Sequence, residues 1–85
     1  MEINSFWTKL KDYEGEQFKT VSDLSFTYEF KGENAIKVSR ANQLLSKANF
    51  ETAIKSMPLS GPGQISKIVR GSAYVYALLV DERLQ

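Results

Sequence analysis

Apolar residues recur at helical spacing near the start of the chain. Ile3, Phe6 with Trp7, Leu10 and Tyr13 share one side of a helix, with Lys9, Lys11 and Asp12 on the other. Asn4 or Ser5 can cap its start, and Gly15 suits its exit. The period then changes. Phe18 and Thr20 flank Lys19 in a short strand, and Phe26, Tyr28 and Phe30 alternate with Ser25, Thr27 and Glu29. Lys31-Gly32-Glu33-Asn34 reads as a turn, after which Ile36 and Val38 alternate with Lys37 and Ser39. The pattern predicts an antiparallel hairpin of 25–30 and 35–39 with its aromatic face on the core.

Helical spacing returns at Phe50, Ile54 and Met57, with Ser46 as the cap and Leu45 placed to staple Phe50. This predicts a helix over 47–57, ended by Pro58. Pro62 can open a third helix over 62–70, with Ile65, Ile68 and Val69 on its buried side and Gly71 at its end. The apolar stretch 72–80 reads as a helix capped by Ser72 or as a buried strand beside the hairpin. Its Ala and Leu favour helix, its Tyr and Val strand. The fold class is α+β: an N-terminal helix, a small antiparallel sheet, then two to three C-terminal helices packed on it.

Composition fits one small globular domain over 1–85, since 42% hydrophobic and 25% charged residues are ordinary globular usage and too apolar for disorder. The chain has no Cys and no His. That excludes a disulfide framework, Cys-ligated metal, and Ser–His–Asp or Cys–His catalysis. No carboxylate pair or lysine is spaced to suggest an enzyme, and no cofactor or metal is expected. Asp12, Glu14 and Glu16 around Gly15 miss the calcium-loop pattern, whose glycine and final glutamate positions hold Gln17 and Asp23. Ser60-Gly61-Pro62-Gly63 lacks the Gly-Lys-Ser/Thr ending of a P-loop. The longest apolar run, Ala73 to Val80, is far short of the ~20 residues of a membrane span, so a cytoplasmic protein without membrane contact is expected.

Charge is segregated. Residues 1–33 hold four basic against seven acidic side chains, a net of −3. Residues 34–80 hold six basic against Glu51 alone, a net of +5. Such segregation can create a positive face on a near-neutral protein. Arg40, Asn42 and Gln43 lie in the polar stretch after the hairpin, and Gln64, Lys67 and Arg70 recur on the exposed side of the expected third helix. Arg, Asn and Gln read base edges, while Lys and Arg hold phosphates. Helix, turn and helix over 47–70 would form a helix-turn-helix with 62–70 in the major groove.

The leading expectation is therefore a nucleic-acid-binding module, DNA before RNA. Gln64, Lys67 and Arg70 would contact groove or phosphate, supported by Arg40, Asn42, Gln43, Lys47 and Lys55. The order of helices and hairpin resembles a winged-helix domain. In that family, however, the wing follows the recognition helix, whereas here the hairpin precedes both candidate helices. The alternative is a protein-interaction module, an inhibitor or adaptor, whose oppositely charged halves suit a charged partner or a homodimer. Lysines on outer helix faces are also the ordinary solvated surface of a globular protein. A basic face spanning both helices would favour nucleic acid, and an exposed apolar patch a protein partner.

Overall fold

Phe6, Trp7 and Leu10 are buried on the inner side of α1 (Ile3–Asp12), as their spacing requires. The computed structural model describes every residue, 1–85. The cap of α1 is Glu2 and not Asn4 or Ser5: its carboxylate accepts hydrogen bonds from the Asn4 N–H at 2.7 Å and the Ser5 N–H at 3.0 Å. These bonds hold the Glu2 carboxyl below the usual carboxylate range. Its negative charge also suits the positive end of the helix dipole.

The alternating stretch 25–30 changes neighbours at Thr27. Its first part, β2 (Ser25–Phe26), pairs antiparallel with β1 (Phe18–Lys19), placing Phe18 opposite Phe26. Its second part, β3 (Tyr28–Phe30), pairs with β4 (Ala35–Val38), placing Tyr28 opposite Val38 and Phe30 opposite Ile36. The polar stretch of Arg40, Asn42 and Gln43 leads into a strand not expected from the sequence, β5 (Leu44–Ser46), with Leu45 opposite Ile36. The second sheet thus has the order β3-β4-β5. Strand alternation turns Tyr28, Ile36, Val38 and Leu45 to the core, and Glu29, Ala35, Lys37, Leu44 and Ser46 to the other face.

Helix α2 (Lys47–Ile54) begins as expected, with the Ser46 hydroxyl accepting from the Asn49 N–H at 3.1 Å. It ends at Ile54, before the expected 57. The third helix expected over 62–70 does not form. Only a 3-10 turn at Pro62–Gln64 and a series of turns occupy that span. Gly63, Ser66 and three β-branched residues make 62–70 a weak helix former, and so short a segment gains little from propagation against the cost of nucleation. Ile65 and Val69 still reach the core, but Ile68 is 51% exposed, contrary to the expected helical face.

Helix α3 (Ser72–Val80) settles the ambiguous segment as helix, without a Ser72 side-chain cap. It follows Gly71, whose φ of 58° lies in the left-handed region. The backbone conformation calls for glycine, and a Cβ there would also press on the Leu45 methyls at 3.0 Å. Val75, Leu78 and Leu79 are buried from α3, and Leu84 of the closing 3-10 turn (Glu82–Leu84) joins them.

The end of α1 closes one edge of the larger sheet. The Gly15 N–H donates to the Tyr28 carbonyl at 3.3 Å, and the Phe30 N–H donates to the Glu14 carboxylate at 2.6 Å. These are the groups that β3 turns away from β4. The buried Tyr28 hydroxyl donates to the Leu10 carbonyl at 2.5 Å, satisfying an acceptor at the end of α1, and burial raises its pKa well above the ordinary value. Replacing Tyr28 with phenylalanine is expected to cost ~1–3 kcal/mol, because the Leu10 carbonyl would stay buried without a donor. Urea denaturation checks this, with the fold retained.

Candidate functional site

Lys67 and Arg70 line a groove of about 650 Å³, together with Ala35, Leu44, Ser46, Asn49, Ile68 and Val69. The outer edge of β5 and its neighbour on β4 form one side, and the 67–70 turn forms the other. Leu44 is 54% exposed and Ile68 51%, so two large apolar side chains line this groove in contact with water. No carboxylate lines it, and neither Lys67 nor Arg70 has an ion pair. A second hollow meets the first at Leu44 and is lined by Lys31, Lys37, Asn42 and Gln43 as well. Lys31 is neutralised there by Glu29 at 3.0 Å. The two hollows together present the unpaired Lys37, Lys67 and Arg70 beside the exposed Leu44 and Ile68.

The groove's far wall is held by Asn49. Its side-chain carbonyl accepts from the Arg70 N–H at 3.0 Å, and its NH₂ donates to the Arg70 carbonyl at 2.9 Å. The amide thereby takes both main-chain groups of Arg70, as a paired strand would, and ties the turn to the first turn of α2. Asn49→Ala is expected to cost ~1–2 kcal/mol for the two lost bonds. Amide hydrogen exchange should show the Arg70 N–H losing protection while core amides of α3 keep theirs.

The structure distributes the other basic and amide candidates widely. Asn42 and Gln43 share the surface with Lys67 and Arg70 through Leu44. Arg40 is exposed in the turn after β4 and lines neither hollow. Lys47, the first residue of α2, donates to the Asn4 side-chain carbonyl at 2.8 Å and ties α2 to α1. Lys55 is exposed beyond the far end of α2. Gln64 spends its amide inside its own loop: its carbonyl accepts from the Ser60 N–H at 2.9 Å, and its NH₂ donates to the Pro58 carbonyl at 3.3 Å. Without a helix over 62–70, Gln64, Lys67 and Arg70 form no helical row, and the helix-turn-helix expected from the sequence is absent.

Leu44 and Asn49 escaped the sequence reading, and Ile68 was expected on a buried helix face rather than at the surface. The Leu44–Leu45 pair did carry a signal, because adjacent residues of a strand face opposite sides and only one leucine can enter the core. The Asn49 clamp spans 21 positions and has no local signature. Among the acidic residues near Gly15, the Glu14 carboxylate is taken by the Phe30 N–H. No group of three acidic side chains is placed to hold a metal ion, and no helix is long and apolar enough to cross a membrane. Comparison with family models, curated proteins and solved structures finds no match to this chain.

Proposed function

We propose that this domain is a protein-interaction module whose docking surface is the groove between β5 and the 67–70 turn. The observation carrying this reading is the pairing of Leu44 and Ile68, both about half exposed, with unpaired Lys67 and Arg70 in one concave surface. Removing such apolar side chains from water drives association, and the cations select which partner approaches. Leu44, Ile68, Lys67 and Arg70 together offer apolar and cationic contacts of the kind that hold a partner.

Selection from an unbiased displayed-peptide library tests the proposal. The wild-type domain should enrich peptides that the folded Leu44→Glu, Ile68→Glu double variant does not retain. Equal retention by the variant, or no enrichment, would overturn it.

Nucleic-acid binding is the second reading. It is favoured by one observation: Lys37, Arg40, Lys55, Lys67 and Arg70 have neither an ion pair nor a side-chain hydrogen bond. Duplex or single-strand binding whose affinity falls with salt at a slope near −0.9 per neutralised phosphate on duplex would favour it.

A further inference from the structure

We infer that the groove takes an acidic, extended segment of a partner protein, which joins the sheet as a fourth strand on β5. The inference rests on the interaction reading and names its partner chemistry.

The first ground is the unequal treatment of the two sheet edges. Pairing of Leu45 with Ile36, and the Lys47 N–H donating to the Asn34 carbonyl at 2.7 Å, fix which way β5 directs its main-chain groups. In an antiparallel ladder these directions alternate. The Leu44 N–H and C=O and the Ser46 N–H therefore point away from β4, toward the groove. β5 pairs with no strand but β4, and no residue of 65–71 bonds to it. On the opposite edge, the end of α1 satisfies β3. An unpaired edge is a template for another strand, and proteins commonly cover or charge such edges. Here the edge opens into a concave surface.

The second ground is charge. Main-chain pairing along so short a strand involves only Leu44 and Ser46, so side chains must supply much of the affinity and the choice of partner. The groove offers Leu44 and Ile68 to aliphatic side chains, and Lys67 and Arg70 to carboxylates, with no acidic residue lining it. A basic segment would meet uncompensated like charge. A segment carrying carboxylates beside aliphatic residues complements both features.

The test uses a fluorescein-labelled hexapeptide alternating glutamate and valine. Anisotropy reads affinity, and amide NMR shifts read location. Expected is saturable binding that moves the Leu44 and Ser46 amide signals. N-methylation should be run in two versions, one for each alternating set of peptide amides. One version should weaken binding ~tenfold or more, because it removes the bonds to β5. Exchanging glutamate for lysine should abolish binding.

Equal affinity of both methylated versions with the parent, equal affinity of the lysine peptide, or shifts confined to other residues would overturn the inference. It would also fall if a mixed-sequence oligonucleotide moved these amides and the peptide did not. Failure of the acidic peptide while library selection still enriches Leu44- and Ile68-dependent sequences removes this partner chemistry alone. Failure of both removes the interaction reading too.

Discussion

Phe50→Ala is expected to lower the melting temperature by roughly 15–30 °C and leave little folded protein at physiological temperature. Phe50 is fully buried, with its ring centroid 5.6 Å from that of Phe6 and 5.5 Å from that of Trp7. It therefore joins α2 to the inner side of α1. Truncating a buried phenylalanine commonly costs ~3–5 kcal/mol, and a domain of this size has about 4–13 kcal/mol in total. The cavity would lie where two short helices meet, and neither is long enough to be stable alone. Circular dichroism melts of the wild type and variant check this. A fall of only a few degrees would mean that the α1–α2 junction carries less of the fold's stability than its packing implies.

Arg70→Glu is expected to weaken binding of an acidic peptide by ~100-fold or more while barely changing the melting temperature. The main chain of Arg70 is clamped by Asn49, but its side chain is exposed and makes no ion pair. Substitution consequently removes no native side-chain partner, and exposed changes of this kind usually fall within ~0.5 kcal/mol. Binding suffers twice, through loss of a charge-assisted hydrogen bond and gain of like-charge repulsion. Titration of the glutamate–valine peptide, paired with a thermal melt, reads both effects. Unchanged affinity in the folded variant would exclude Arg70 from the docking surface.

Elements with a strong period were legible in the sequence. Phe6, Trp7 and Leu10 marked α1, and Phe26, Tyr28 and Phe30 marked the strand run, because each row faces one continuous core. Ser46 was legible as a cap because its hydroxyl acts within one helical turn. The segment 62–70 misled because Ile65, Ile68 and Val69 have helical spacing whether or not a helix forms. The glycine-containing turn, the β-branched residues and the distant Asn49 clamp decide against one. β5 carried only the weak signal of the Leu44–Leu45 pair, because a single inward residue, Leu45, makes no alternating row.

The candidate site was legible only in part. Lys67 and Arg70 stood out by charge, and they do share a concave surface. The partners that give this surface its character, Leu44 and Ile68, reach it from separate segments, the second held against α2 by the Asn49 bonds to Arg70. Gln64 and Lys47 looked equally available in the sequence, yet their polar groups are taken by hydrogen bonds within the fold.

Native-state amide hydrogen exchange of the unliganded protein tests most directly whether one sheet edge is closed and the other open. The Phe30 N–H, held by Glu14, should exchange slowly, near the rate of the buried core. The Leu44 N–H should exchange orders of magnitude faster, close to the rate of an unstructured amide. Leu44 protection equal to that of Phe30 would contradict the open edge and remove the basis for strand addition.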